Sequence, residues 1–311
     1  MNIGNPQQCG QGYITFNREV IAGLVHPPLM DSDMISDDAK NRIYYYQTHQ
    51  QSPVGAYTTN SKGWTYTREA VANFIAKRDG FYHVNPDHIF IGNGASEGCR
   101  AALQMAIRDG NDGVLVPIPQ YPLYSALLTL LQGHLIPYYL DEELNWGLDP
   151  EHLDQQIEIA KRDGICPRAM VIINPGNPTG QVLTYKTIQD IIKVCHKHEI
   201  MIIADEVYQT NIYKRKGVFV SVRRVLAELG KPYDKDVELI SLNSVSKGML
   251  GECGFRGGYY ECHNLPPEAL ELVFKLKSMD LCGNTIGQTS IELMCNPPRL
   301  GVESADCVNQ Y

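Results

Sequence analysis

Short apolar runs alternate with helix-length amphipathic segments through the middle of the chain, and this alternation constrains the fold more than any other feature. The largely apolar runs lie at 89–92, 114–118, 169–173, 200–204 and 237–242. Segments such as 97–108 and 188–198, between these runs, are long enough to form crossover helices. The sequence therefore predicts an α/β fold with a mostly parallel sheet flanked by helices.

Charge and cysteine usage argue against several kinds of partner. Lys and Arg number 27 against 35 Asp and Glu, a formal net charge of -8, so no global field draws the chain to nucleic acid or anionic lipid. Prolines interrupt the longest uncharged stretch, 114–140, so we expect no membrane span. The nine cysteines lack zinc-type spacing, and we expect reduced thiols and no metal site. The amino terminus lacks a secretory signal, which favours a cytoplasmic location, or a mitochondrial one if a transit peptide is missing.

Polar loops follow the predicted strands, and the first of them suits a phosphate. Residues 92–98 read GNGASEG between a strand and a helix, so backbone N–H groups and the Ser96 hydroxyl can meet an anion at a helix N-terminus. A tight turn with an ordinary N-cap serine fits equally well. A dinucleotide loop would need G-x-G-x-x-G, and Gly94 and Gly98 stand four apart instead.

Three further strand ends carry an aromatic ring, an amide and a carboxylate. Tyr121 lies between prolines, where its ring either packs or stacks on a flat heteroaromatic ligand. Asn177, in NPGNPTG, is either a turn residue or an amide donor on a backbone fixed by prolines. Asp205 closes a buried strand, where a carboxylate needs a cationic or N–H partner.

The loop after the last predicted strand supplies two cations. Lys247 follows a predicted strand and Arg256 stands nine residues further on among glycines. Lys247 is either a solvated charge or a nucleophile, and a neighbouring cation favours the reactive, uncharged amine. Arginine among glycines suits a phosphate because its planar fork binds two oxygens. Together, these loops supply what pyridoxal 5′-phosphate requires, including a carboxylate for its pyridinium nitrogen.

These residues resemble the fold-type I, class I aminotransferases, and within them the alanine aminotransferases closely. The resemblance runs from about Ile3 to Pro298. It rests on the strings PIPQYPLYS (117–125), NPGNPTGQ (174–181), ADEVYQ (204–209) and SKGMLGECGFRGGY (246–259). It implies three segments: an N-terminal arm and small-domain segment at 1–40, a pyridoxal-phosphate-binding large domain at 41–295, and an irregular tail at 296–311.

The resemblance also implies a role for each matched residue. Lys247 would be the internal-aldimine lysine and proton shuttle, and Asp205 the partner of the pyridine nitrogen. The remaining implied cofactor contacts are Asn177 and Tyr208 at the phenolic oxygen, Ala95, Ser96, Ser244 and Arg256 at the phosphate, Tyr121 stacked on the ring, and Tyr57 reaching the neighbouring subunit of a homodimer. The implied reaction converts L-alanine and 2-oxoglutarate to pyruvate and L-glutamate.

One departure from the family bears on activity. Family members continue into a C-terminal small domain that supplies an arginine for the substrate carboxylate, and residues 300–311 do not resemble that continuation. We therefore expect a truncated chain with impaired substrate binding. Three alternatives remain open: a different lysine-dependent enzyme of the same fold, such as a lyase; a silent or regulatory fragment that pairs with a full-length subunit; and a nicotinamide-dependent oxidoreductase.

Overall fold

Seven strands form one sheet within residues 4–80, 82–213 and 217–311, the parts of the chain that the computed structural model describes. The strands are β1 (Ile89–Asn93), β2 (Asp112–Ile118), β3 (His134–Tyr139), β4 (Cys166–Ile173), β5 (Met201–Asp205), β6 (Leu239–Ser244) and β7 (Gly257–His263). Their order across the sheet is β1-β7-β6-β5-β4-β2-β3, and only the pairings of β7 with β1 and β6 are antiparallel. The predicted α/β class with a mostly parallel sheet is confirmed.

Helices cover both faces of this sheet. They are α1 (Thr15–Val25), α2 (Asp37–His49), α3 (Thr65–Arg78), α4 (Ala95–Ala106), α5 (Leu123–Leu131), α6 (Pro150–Arg162), α7 (Tyr185–His198), α8 (Val222–Leu229), α9 (Tyr233–Asp236), α10 (Pro267–Met279), α11 (Thr285–Cys295) and α12 (Ala305–Val308). Helices α4, α5 and α10 pack on one face, and α6, α7 and α8 pack on the other. No helix in the described parts of the chain combines the length and hydropathy that a bilayer crossing requires.

The central strands are apolar throughout because both of their faces are covered. Along β5, Met201 and Ile203 pack with α4 and α5, whereas Ile202 and Ala204 pack with α6, α7 and α8. Strand β4 alternates between the same two clusters. Because neither face meets water, the period of two is hidden in the sequence, which explains why these strands were recognised as short apolar runs.

Side-chain caps begin several of the helices. Asp149 accepts a hydrogen bond from the Glu151 N–H, and Pro150 occupies the first position of α6. Thr184 caps α7 in the same way, and Ser36 caps α2. These side chains satisfy N–H groups that have no partner within the helix, which fixes the residue at which each helix begins.

Several elements were not predicted, helix α1 and strand β7 among them, and the tail corrects a prediction. Helix α1 lies in the segment that we expected to be an arm, and it buries Phe16 and Val20 in the same cluster as Ile89 of β1. Strand β7 was not recognised at all. The tail 296–311, predicted to be irregular, contains one helical turn, α12, that Ser304 caps.

Candidate active site

A cavity of about 410 Å³ lies where the carboxyl ends of the parallel strands meet the start of α4. We call it the strand-end cavity. Of the ten cofactor contacts expected from sequence, the following nine line it: Ala95, Ser96, Tyr121, Asn177, Asp205, Tyr208, Ser244, Lys247 and Arg256. Tyr57 does not line it and has 71% of its surface exposed. Loops that are far apart in sequence therefore converge as expected for ligands of an open α/β sheet.

One end of the strand-end cavity is built to hold an anion. The first amides of α4 have no carbonyl partner within the helix, and Ser96 lies in this first turn. Across from them, Arg256 Nη2 donates to Ser96 Oγ at 3.3 Å and to Asn93 O at 3.1 Å. A guanidinium, a hydroxyl and a helix N-terminus together suit a doubly charged phosphate.

Close backbone packing fixes this anion site. Gly94 has a φ of 87°, in the region that favours glycine. A Cβ on Gly258 would overlap the backbone of Gly94, so β7 passes directly beside the α4 turn. Behind the turn, Glu97 accepts from the Asn93 N–H at 2.7 Å and from the fully buried Lys277 Nζ at 2.5 Å. The turn is thus held from two sides.

The opposite, buried end of the strand-end cavity holds a carboxylate. Asp205, 6% exposed, accepts a hydrogen bond from Tyr124 OH at 2.7 Å and a long one from the Val207 N–H at 3.4 Å. Burial raises the pKa of Asp205, while the Tyr124 hydrogen bond and the charge of Lys247 oppose that rise. A cation bound beside Asp205 would therefore favour its ionised form.

Tyr124 was missed in the sequence, although it stands only three residues after Tyr121, in the first turn of α5. It is completely buried, and its hydroxyl also contacts Cys99 Sγ at 3.4 Å. Burial raises the pKa of Tyr124 well above its usual value, so it stays a hydrogen-bond donor. The string PIPQYPLYS was the only available signal for this residue.

Lys247 and Tyr208 lie side by side in the wall of the strand-end cavity. Lys247 Nζ is 5.6 Å from the centre of the Tyr208 ring and donates to Gly4 O at 2.6 Å. A Cβ on Gly4 would lie 3.2 Å from Lys247 Nζ and 3.8 Å from Tyr208 OH, so amine and hydroxyl are neighbours. Desolvation, and then the charge of Asp205, raises the pKa of Tyr208. The hydroxyl therefore keeps its proton at neutral pH.

The amide residues of the site fall into two roles. Asn174 is a structural residue: its N–H donates to Asp205 O, and its side chain bonds Val220 O and the Leu183 N–H. Asn177, half-buried, faces the cavity instead. Gln120, another residue missed in the sequence, lines the cavity with a buried Oε1 that has no hydrogen-bond donor among the described residues.

These groups fit pyridoxal 5′-phosphate. The anion site suits a phosphate, and the buried Asp205 suits a cationic ring nitrogen. Tyr121, 40% exposed, presents an aromatic ring at the cavity wall. Lys247 offers a primary amine between the two ends.

A family model for aminotransferase class I and II matches residues 31–296, and the chain belongs to this family. The chain is 47% identical over 309 residues to glutamate–glyoxylate aminotransferase 1 of Arabidopsis thaliana, covering 98% of this chain and 64% of that protein. It is 44% identical over 301 residues to alanine aminotransferase 1 of Bos taurus, with 96% and 60% covered. The family resemblance recognised in the sequence is confirmed.

Solved structures share the fold. An aminotransferase from Escherichia coli superimposes with a TM-score of 0.74 at 26% identity, covering 96% of this chain and 64% of that one. An alanine aminotransferase from Pyrococcus furiosus gives a TM-score of 0.70 at 24% identity, with 95% and 73% covered.

The chain spans 64% of the length of the Arabidopsis relative. The match covers 98% of the chain, so it extends into the segment 300–311. The family model itself ends at residue 296, so the expectation that residues 300–311 depart from the family stays a prediction.

Proposed function

We propose that this chain carries out pyridoxal-phosphate-dependent transamination between L-alanine and 2-oxoglutarate, giving pyruvate and L-glutamate. The convergence of nine predicted contacts on one cavity carries the proposal. Relatives named alanine aminotransferase support L-alanine as the donor. A relative named glutamate–glyoxylate aminotransferase makes L-glutamate and glyoxylate the competing pair. Both pairs require the same site chemistry.

When bound, pyridoxal 5′-phosphate supplies an aldehyde that condenses with amines and a ring that withdraws electrons. Lys247 Nζ provides the amine that holds the cofactor, and, once free, takes the proton from Cα of the amino acid. The amine acts as nucleophile and base only when uncharged. The Gly4 carbonyl, which accepts one N–H at 2.6 Å, orients it without adding a charge.

Asp205 holds a negative charge against the ring nitrogen. Tyr124 donates to that carboxylate, which favours its ionised form in a site whose burial disfavours it. The two side chains together keep the ring nitrogen protonated. A carboxylate positioned in advance and shielded from water stabilises charge more strongly than water does.

The other contacts position the cofactor. Arg256, Ser96, Ser244 and the Ala95 amide would bind the phosphate, while Asn177 and Tyr208 would donate to the phenolic oxygen. Tyr121 would stack on the ring, which excludes water from that face. In these assignments the anion site would hold the phosphate, Asp205 would hold the ring nitrogen, and Lys247 would supply the amine for the aldehyde.

Tyr57 suggests that the site is completed by a second copy of the chain. It is exposed and lies away from the cavity of its own chain. We propose that it reaches the phosphate in the neighbouring subunit of a homodimer, and that residues 41–295 form the cofactor-binding domain.

The first experiment is an absorption spectrum of the purified chain with pyridoxal phosphate, before and after addition of L-alanine, and separately after L-glutamate. The matched control is Lys247→Ala. We expect a band that depends on Lys247 and that converts to the pyridoxamine form with the preferred donor. Product analysis with 2-oxoglutarate or glyoxylate then identifies the acceptor.

Other outcomes separate the alternatives. A Lys247-dependent band that neither donor converts supports a cofactor-binding fragment without turnover, and its effect on a full-length relative would then be measured. Formation of a product other than a 2-oxo acid supports a different lysine-dependent enzyme. No band with the folded chain overturns the proposal.

A further inference from the structure

A buried charge network lies behind the turn that carries Tyr208, on the side away from the strand-end cavity. Its centre is Arg78, the last residue of α3, with 15% of its side chain exposed. Arg78 Nε and Nη2 donate to the two carboxylate oxygens of Asp79 at 2.7 and 2.6 Å. Its third nitrogen, Nη1, donates to Gln209 Oε1 at 3.0 Å and Glu206 Oε2 at 3.3 Å.

The partners of Arg78 are themselves fixed. Glu206, 1% exposed, accepts from the Val222 N–H at 2.9 Å, and its own N–H donates to Leu242 O at 3.0 Å. Asp79 Oδ1 accepts from Ser221 Oγ at 2.8 Å. The network thus joins the end of α3, the turn after β5 and the start of α8.

Glu206 and Gln209 are the two residues that bracket Val207 and Tyr208. The Gln209 N–H donates to Glu206 O at 3.0 Å, which closes the turn. One nitrogen of Arg78 therefore binds the side chains at both ends of this turn. Because a guanidinium is planar and its donors are fixed relative to one another, it sets the orientation of what it binds as well as its distance.

Stability alone is a poor explanation for this network. Buried ion pairs often contribute no more than apolar residues of the same volume, because desolvation offsets their attraction. Burial raises the pKa of Glu206 to about 7 even with Arg78 beside it. In addition, Gln209 Nε2 is buried without an acceptor among the described residues. A costly polar cluster is more readily explained by the geometry that it imposes.

We propose that Arg78 is a positioning residue that fixes where the Tyr208 hydroxyl enters the strand-end cavity, beside Lys247. This inference rests on the proposed function, in which Tyr208 donates to the phenolic oxygen of the cofactor. Arg78 acts only through Glu206 and Gln209. It makes no contact with the cavity itself.

A double-mutant cycle tests the proposal. Arg78→Gln, Tyr208→Phe and the double variant are compared by the dissociation constant of pyridoxal phosphate and by the pH midpoint of the bound cofactor's absorption. In Tyr208→Phe the charged phenolic oxygen loses a hydrogen-bond donor. We therefore expect the dissociation constant of pyridoxal phosphate to rise about tenfold and the pH midpoint of its absorption to rise by about one unit. We expect Arg78→Gln to shift both in the same direction and to add nothing in the Tyr208→Phe background.

The control is Arg68→Gln, on the same helix. Arg68 is also a buried arginine, with 5% of its side chain exposed, and it binds Asp87 Oδ1 at 2.9 Å and Pro86 O at 2.8 Å, away from the cavity. Its loss removes a buried guanidinium from α3, and we expect the absorption midpoint to stay where it is. A shift as large as that of Arg78→Gln would mean general loosening and would overturn the proposal.

The remaining outcomes are decisive too. If Arg78→Gln leaves both quantities unchanged, or if its effect adds fully to that of Tyr208→Phe, Arg78 does not act through Tyr208. If Tyr208→Phe itself changes neither quantity, the proposed role of Tyr208 fails and the positioning role fails with it. Should Arg78→Gln not fold, Gln209→Met removes one hydrogen bond of the same network, and the same criteria apply to it.

Discussion

Two buried carboxylates occupy very different regions of the molecule. Asp205 lies in the strand-end cavity, whereas Glu292, 2% exposed, lies in a cleft of about 350 Å³ between α2, α11 and the tail. Burial is the largest cause of a raised pKa in both. Asp205 meets Tyr124, and Glu292 accepts from Asn296 Nδ2 at 2.7 Å on one oxygen. The other oxygen of Glu292 is buried without a donor among the described residues.

The comparison shows what distinguishes a site from a buried acid. A raised carboxyl pKa indicates burial, and both Asp205 and Glu292 have a raised pKa. The region of Asp205 alone brings together a lysine amine, an anion site and the ends of four parallel strands. We therefore expect changes at Asp205 to alter chemistry and changes at Glu292 to alter stability.

The largest expected effect is that of Asp205→Asn on turnover. Removing the charge opposite the ring nitrogen should lower turnover by about 10²–10³-fold, the range observed when one preorganised electrostatic group is lost. Tyr124 can still donate to the amide oxygen, so the free energy of unfolding should change by no more than about 1 kcal/mol. Steady-state kinetics and urea unfolding measure the two. Turnover within a few-fold of the parent chain would contradict the assignment.

Glu292→Gln should show the reverse pattern. The folded-state pKa of Glu292 is raised from 4.5 to about 7, so its ionisation lowers stability as pH rises through that window. Near pH 4, below the unfolded-state pKa, the variant should match the parent chain, and above pH 7 it should be more stable by about 3 kcal/mol. Urea unfolding at several pH values measures this. Cofactor affinity serves as the control and should not change; a pH-independent difference would refute the explanation.

Tyr124→Phe should give the smallest effect and the most informative one. Loss of its hydrogen bond raises the pKa of Asp205 further, so the acid limb of the turnover profile should move to higher pH by about one unit. Turnover well above that limb should stay within a few-fold, since Asp205 is ionised there. If the acid limb does not move, the Tyr124 hydrogen bond does not lower the pKa of Asp205. Asp205 and Glu292 would then differ only in where they lie.

The fold was largely predictable because local sequence carries its elements. Apolar runs such as those of β4 and β5 end at charged or amide residues, and capping residues mark where helices begin. Helix α1 was missed although Phe16, Val20 and Leu24 recur at helical spacing, because the Gly, Pro and Gln residues before it dominate the segment's composition. Strand β7 was missed because it opens with two glycines and contains Glu261 and His263, so it does not form an apolar run.

The site was predictable only where a strand end displays its chemistry. Asp205 ends a strand, and Asn177 and Lys247 lie in the loops that follow strands, so their positions could be inferred from the order of elements. Tyr124 and Arg78 could not be inferred, because each works through contacts with residues far along the chain. The neighbours of a buried side chain depend on how helices pack, and one sequence does not reveal that packing.

The antiparallel direction of β7 places the two cationic side chains of the site on one short segment of the chain. Because β7 runs antiparallel to β6, its first residues lie at the same edge as the last residues of β6. Lys247 and Arg256 therefore stand on a single connecting peptide, between Ser244 and Gly257, although we propose that one acts near the reactive carbon and the other at the phosphate. If this peptide were exchanged as one piece between relatives, the lysine amine and the arginine guanidinium would be transferred together, nine residues apart.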